Sequence, residues 1–248
     1  MENKNCNIIH LSETGSTNDY LKELLKHDQP AEGTMVLADH QTAGKGLDTN
    51  TWESESGKNL LMSLVFYPDF VPADRQFVIS MAVALGICDY LEDQLPDDDI
   101  LIKWPNDIYA GREKIAGILI TNEILGLKIE HVIVGIGLNM NQENFSENIP
   151  NPISLAMLTG NYFDLEAEAR RLRDCVAVRY EQLREGLYDR IRADYLDRLL
   201  GLNESRKYLY KGNKIEGVIT GVDEYGRLQL ETGGGEIVCD LKDITYIF

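Results

Sequence analysis

Apolar positions recur along this chain with two periods, and the places where one gives way to the other set out its elements. Ile8–Leu11 reads as a short strand, and Ser16, Thr17 and Asn18 then offer N-cap side chains for a helix running to about His27. Thr34–His40 is apolar enough for a buried strand, and Asn59–Tyr67, rich in Leu, Met and Val, for another. Between them, residues 42–58 hold almost no apolar side chain except Leu47 and Trp52. This is a loop longer than most, of the kind that carries function or mobility. Pro72 suits the first turn of a helix to about Leu95. Phe77, Met81, Ala84, Leu85 and Cys88 repeat along it at helical spacing, so one face is core packing.

Ile100–Lys103 predicts a short strand ending at Trp104-Pro105-Asn106-Asp107. Ile108–Ala110 and Lys114–Asn122 predict two strands joined at Gly111-Arg112, and Lys128–Met140 a buried strand carrying Gly135 and Gly137. Asn141–Pro152 is a polar loop. Leu165, Ala169, Leu172, Val176, Tyr180 and Leu183 then predict an amphipathic helix, and a second follows to about Leu200. From Lys207 the pattern changes to short strands with glycine-rich turns at 212, 221, 226 and 233–235. The chain therefore divides into a large domain, residues 1–202, and a small, separate, β-barrel-like one, residues 203–248.

Composition narrows the classes. Of 248 residues, 44% are hydrophobic and 26% charged, which excludes a disordered, collagen-like or disulfide-scaffold chain. The net charge of −17 argues against broad nucleic-acid binding, since phosphate neutralisation needs clustered Lys and Arg. It leaves room for a local cationic site for a small anion. Cys6, Cys88, Cys175 and Cys239 have no neighbour at CxxC spacing, and His10, His27, His40 and His131 form no ligand motif, so no side-chain metal site is expected. The opening residues carry no apolar run, and no apolar stretch reaches the roughly 20 residues that span a bilayer. The expectation is a reduced, cytoplasmic protein with no membrane segment.

Common motifs fail. Asp39 and Gly46 break the phosphate-loop pattern around Gly44-Lys45, Met140 stands where a dinucleotide fingerprint needs a third glycine, and no GxSxG elbow exists. What remains is a set of polar residues at strand ends. Ser16-Thr17-Asn18 opens a helix, where free N–H groups favour anions, or is a plain N-cap. Gln41–Gly46 follows a strand, and its glycines either let the backbone approach a ligand or make a flexible surface loop. Lys103-Trp104-Pro105-Asn106-Asp107 is the most specific segment, because a Trp in so polar a run needs a packing or stacking task. Lys114 heads an apolar strand and is either paired with an anion or a snorkelling surface lysine. Asn139 ends another, as a ligand group or a satisfied core amide.

Taken in order, these segments resemble the biotin protein ligase family. The matching stretches are Ser16-Thr17-Asn18, Asp39–Gly44, Trp52-Glu53-Ser54, Gly57–Leu60, Lys103–Ile108, Lys114–Leu119 and Val134–Asn139, and they cover residues 8–140. The resemblance implies an α+β fold. It has a mixed β-sheet flanked by helices, the biotin/lipoate ligase-like catalytic domain, and a small C-terminal SH3-like barrel. It implies an ATP-dependent ligase that activates biotin as biotinoyl-5'-AMP and transfers it to a lysine of a biotin carboxyl carrier protein, with biotin, ATP and Mg2+ as ligands. By that resemblance Ser16, Thr17, Asn18, Gln41, Gly44, Lys45, Gly46, Leu47, Lys114 and Gly117 lie along biotin. Trp52, Lys103, Asn106, Asp107 and Asn139 surround ATP, and Lys114, Asp107 and Lys103 carry the chemistry.

The family's glycine loop is typically rich in arginine, whereas here it reads Gly44-Lys45-Gly46-Leu47-Asp48-Thr49, which predicts weaker retention of the adenylate. About seven residues precede the first strand, so the helix-turn-helix domain of some family members is not expected, nor is DNA binding. A sheet edge could pair two copies or dock the carrier. The rival readings are a lipoate or octanoate ligase and a non-catalytic biotin-binding protein. The first usually shows an Arg-Arg…Gly-Gly-Gly segment in place of Lys103–Asp107, and Gly233-Gly234-Gly235 lies elsewhere. The second rests on the altered loop alone.

Overall fold

The computed structural model describes residues 7–48 and 50–248, so Cys6 and Thr49 lie outside the described residues. Seven strands form the main sheet: β1 (Ile8–Leu11), β2 (Met35–Ala38), β3 (Leu60–Phe66), β4 (Ile100–Lys103), β5 (Asp107–Ala110), β6 (Glu113–Leu125) and β7 (Lys128–Leu138). Their order is β1-β2-β3-β7-β6-β5-β4. The β1–β2 pair is parallel and the other pairs are antiparallel. It is thus a mixed sheet. All seven residues of β3 are buried, because both of its faces are covered. Leu60, Met62, Leu64 and Phe66 point into the main core, and Val65 points the other way to meet Leu21. Leu64→Ala at this double-sided centre would cost about 2–5 kcal/mol.

Leu21 belongs to α1 (Thr17–Leu24), which covers one face and ends a turn short of His27. The other face carries α2 (Phe77–Gln94) and α4 (Leu165–Arg184), with α5 (Tyr188–Asp197) against α2. Pro72 starts a separate 3-10 turn, Ala73–Arg75, before α2 begins at Phe77. The amphipathic reading of α2 understates its burial, for Ile79 and an unbroken run from Met81 to Cys88 are buried. The helix is held between the sheet and α4. Gly86 is where they cross, since a Cβ there would stand 2.6 Å from Val176 Cα. A short helix, α3 (Leu155–Thr159), had no periodic signal; Ser154 caps it by accepting from Met157 N.

The C-terminal strands form a second, antiparallel sheet: β8 (Ser205–Tyr210), β9 (Asn213–Val222), β10 (Leu228–Thr232), β11 (Gly235–Cys239) and β12 (Ile244–Tyr246), in the order β11-β10-β9-β8-β12. Among the described residues the two end strands are not hydrogen-bonded to each other, so the SH3-like sheet is not closed. Gly221, expected in a turn, lies within β9, beside the point where its pairing with β10 shifts register. The two sheets share one continuous set of buried side chains, with Tyr195, Tyr208 and Tyr246 at the junction. The Trp104 indole N–H donates to Gly226 O at 2.9 Å, and the rings of Tyr109 and Phe248 stack at 5.4 Å. No helix among the described residues is long and apolar enough to cross a membrane.

Candidate active site

A cavity of about 300 Å3 opens where the N-terminus of α1, the glycine loop, strands β6 and β7, and strand β12 converge. At one end, Ser16 has an extended backbone and makes no capping bond with its side chain. The hydrogen bonds of the next two residues run elsewhere. The Thr17 backbone N–H and hydroxyl both donate to Gln41 Oε1, at 2.8 and 3.0 Å. The Ser63 hydroxyl, from β3, lies 2.7 Å from Thr17 Oγ1 and 2.6 Å from Asn18 Oδ1. Asn18 Nδ2 donates to Leu119 O at 3.0 Å. These buried groups fix one another, so the segment is a built wall rather than a plain N-cap.

The floor is made of glycines. A Cβ on Gly135 would stand 2.4 Å from Asn18 Oδ1, and Cβ atoms on Gly117 and Gly137 would stand 2.8 and 2.4 Å from the Trp52 ring. Trp52 therefore lies across β6 and β7 as only glycine permits. Its indole N–H is buried and has no partner among the described residues. The loop that carries it doubles back on itself. Trp52 N donates to Gly44 O at 3.0 Å, Gly46 N to Asn50 O at 2.8 Å, and Lys45 and Thr51 form an antiparallel bridge.

The other end is cationic. Asp107 and Lys103 stand opposite each other across β4 and β5. The Asp107 carboxylate accepts from Lys114 at 2.6 Å and from Lys103 at 3.4 Å, all three side chains being partly buried. Two cations on one carboxylate leave a net positive charge facing the cavity, in a chain whose total is −17. Lys114 Nζ also sits 5.5 Å from the centre of the Trp52 ring, and Lys103 Nζ 5.6 Å from that of Tyr246. Burial, with the Asp107 charge adding to it, pushes the Tyr109 phenol well above its usual range; burial does the same to Tyr246. Both rings stay neutral beside the lysines. Asn106 is held by reciprocal bonds: its Nδ2 donates to Ile118 O at 2.8 Å, and Ile118 N to Asn106 O at 2.9 Å.

The structure brings Ser16, Thr17, Asn18, Gln41, Lys45, Gly46, Leu47, Trp52, Lys103, Asn106, Asp107, Lys114 and Gly117 to the cavity wall, but not two other expected residues. Asn139 is a buried brace, donating to Ile153 O at 2.9 Å and to Lys114 O at 3.4 Å. It steadies the Lys114 backbone and does not line the cavity. Gly44 instead lets the Trp52 backbone come close, since a Cβ there would stand 2.4 Å from Trp52 O. The wall also takes in Asn50, Met62, Lys242, Ile244, Thr245 and Tyr246, which no sequence motif marks. The last four come from the C-terminal sheet, and their place depends on tertiary packing alone. No group of three or more His, Cys, Asp or Glu among the described residues could hold a metal.

Residues 12–139 match the family described as Biotin/lipoate A/B protein ligase, and residues 207–244 match the Biotin protein ligase C terminal domain. The chain is 29% identical over 235 residues to the Bifunctional ligase/repressor BirA of Bacillus spizizenii, covering 92% of this chain and 70% of that one. It is 29% identical over 240 residues to the Biotin--[acetyl-CoA-carboxylase] ligase of Mycobacterium tuberculosis, covering 96% and 88%. Among solved structures, the biotin protein ligase from Aquifex aeolicus in complex with biotin and ATP superposes with a TM-score of 0.79 at 26% identity, covering 96% and 97%.

Proposed function

The chain belongs to the biotin/lipoate A/B protein ligase family, and on that premise we infer how its cavity works. It is an ATP-dependent ligase that activates biotin as biotinoyl-5'-AMP and transfers the biotinoyl group to a lysine of a biotin carboxyl carrier protein. The observation that carries the residue assignment is the pair of lysines, Lys103 and Lys114, sharing Asp107 at the cationic end of one cavity. Biotin lies at the end built by Ser16, Thr17, Asn18 and Gln41, along the glycine loop. ATP lies at the end built by Trp52, Lys103, Asn106 and Asp107. The Trp52 indole N–H, buried without a partner among the described residues, is a donor that a bound ligand would satisfy.

In the first step a biotin carboxylate oxygen attacks the α-phosphorus of ATP. The bond from that phosphorus to the bridging oxygen breaks, and pyrophosphate leaves with the electron pair. Both partners are anions, so Lys114 and Lys103 lower the repulsion and hold the reacting groups in line. Asp107 and Asp48 are the carboxylates on the wall, and each is already paired with lysine. Mg2+ bound with the nucleotide would be held mainly by its phosphates, with Asp107 as the nearest protein oxygen donor, and would supply charge neutralisation there. In the second step the carrier's neutral lysine amine attacks the acyl carbon, the bond to the phosphate oxygen of AMP breaks with its electron pair going to AMP, and the amine gives up a proton to solvent. A carboxylate already paired with two lysines is a poor acceptor for that proton. Asp107, held between two lysines, orients the amine and stabilises its charge.

The same reading assigns residues 1–202 to the catalytic domain and 203–248 to the SH3-like one, in a cytoplasmic protein. The outer edge of β4 is covered, since Ile102 N donates to Arg198 O at 2.8 Å and Leu200 N to Ile102 O at 2.9 Å. That leaves β1 as the main sheet's other edge, for pairing with the carrier or with a second copy. ATP–pyrophosphate exchange with Mg2+, run with biotin, with lipoate and with neither, tests the assignment. Exchange that requires biotin is the expected result; exchange that requires lipoate would overturn it.

A further inference from the structure

The glycine loop is short of cations. Lys45 is its basic side chain, and Lys45 Nζ is engaged on the outer side by Asp19, at 2.7 and 2.8 Å from the two carboxylate oxygens. A second cation reaches the loop from the far end of the chain. Lys242, in the turn between β11 and β12, forms an ion pair with Asp48, and both line the cavity. The pair bridges the mouth between the glycine loop and the C-terminal sheet. Asp48 and Lys242 both have positive φ, 66° and 79°, a region few non-glycine residues adopt. Such conformations cost energy and persist where the surroundings impose them, most often at ligand-binding sites.

Stability does not account for the pair. The side chains of Lys242 and Asp48 are 69% and 43% exposed, and ion pairs in that setting contribute little. An exposed pair is also easily exchanged. The cavity's other cations are already paired, Lys45 with Asp19 and Lys103 and Lys114 with Asp107, yet a triphosphate brings several negative charges. We propose that Lys242 is a nucleotide-binding residue: it leaves Asp48 when ATP enters and pairs with the phosphates, closing the C-terminal sheet onto the site. Asp48 is its resting counterion, and it competes with the nucleotide for Lys242. This rests on the reading of the cavity as an ATP site. It supplies from the C-terminal sheet a cation that the glycine loop of this chain lacks.

Kinetics of biotin-dependent ATP–pyrophosphate exchange test it. Lys242→Ala is expected to raise the KM for ATP about tenfold, the loss of one charge-assisted contact, with the KM for biotin unchanged. Lys242→Arg keeps the charge and stays within about twofold of the parent. Asp48→Asn removes the competitor, so the KM for ATP falls. The parent's KM for ATP also climbs more steeply with ionic strength than that of Lys242→Ala. If Lys242 only tethers the loop, Asp48→Asn raises the KM as much as Lys242→Ala does, and the proposal is overturned. A parental KM for ATP in Lys242→Ala overturns it too. No biotin-dependent exchange in the parent would instead bring down the ATP reading, and this proposal with it.

Discussion

The floor and the rim of the cavity are held in different ways. On the floor, Asn18 is tied to Leu119 and Ser63, Gln41 to Thr17, and Asn106 to Ile118, by short hydrogen bonds among buried or half-buried groups. On the rim, Lys45 pairs with Asp19 and Lys242 with Asp48, across side chains that are largely exposed. Polar groups locked in a low dielectric keep one geometry, because an unmade bond there costs about 1–3 kcal/mol. Exposed pairs are cheap to break and are screened by salt. The floor is thus suited to holding a ligand in one orientation, and the rim to admitting and releasing anions.

The largest test is at the join of the two regions. Asp107→Asn leaves Lys103 and Lys114 without their shared counterion and is expected to lower turnover about 10²–10³-fold, measured as carrier biotinylation under saturating biotin and ATP. Near-normal turnover would reject any essential role for this carboxylate. Next, Gln41→Ala removes the acceptor for both Thr17 donors, and biotin affinity should weaken about 10–100-fold by calorimetric titration. A change below twofold would mean that the floor tolerates loosening and that the contrast with the rim is overdrawn.

Rim changes should be smaller. The Leu47→Arg/Asp48→Arg double variant restores arginines to the loop and is expected to slow dissociation of the adenylate several-fold, read by chasing labelled intermediate from the protein. An unchanged off-rate would detach the loop's charge from intermediate retention.

The smallest effect lies outside both regions and serves as a control. Burial works to raise the pKa of Glu32, but hydrogen bonds from Tyr67 N–H, Arg184 and Tyr180 outweigh it and hold the carboxyl below its ordinary 4.5. A lowered folded pKa stabilises the protein above the ordinary value, and that contribution is lost as pH falls through the folded one. Glu32→Gln should cost about 1 kcal/mol at neutral pH and flatten the acid slope of thermal stability, with biotin and ATP constants unmoved. A shift in either constant would show that this cluster is coupled to the cavity.

The sequence made some of this legible and not the rest, for physical reasons. The strands of the main sheet follow from short apolar runs bounded by turns, and helix α4 from its helical spacing of apolar residues. Burial all round α2 does not follow, since period cannot report a second partner such as Val176 on the far side. Lys103–Asp107 was recognisable because a Trp and charges share five residues, and that segment does reach the cavity. Asn139 was ambiguous between ligand and brace. The acceptor it finds, Ile153 O, lies in a loop whose path no local pattern fixes. Lys242 had no signal at all. A lone lysine in a turn becomes part of the site only through the docking of the second sheet.

That docking passes through one bond with a wider meaning. Trp104 is almost wholly buried, and its indole N–H ends on the carbonyl of Gly226, in the turn before β10. A Cβ on Gly226 would strike the Phe77 ring, so the turn is moulded to its neighbour. Cutting the chain near residue 203 would strip the cover from Trp104 and expose its indole in the segment that holds Lys103 and Asp107. The C-terminal sheet therefore cannot be traded between relatives as a cassette. A chimera keeps its active site only if the turn at Gly226 and the Trp104 segment are inherited together, and the two halves should melt in a single transition.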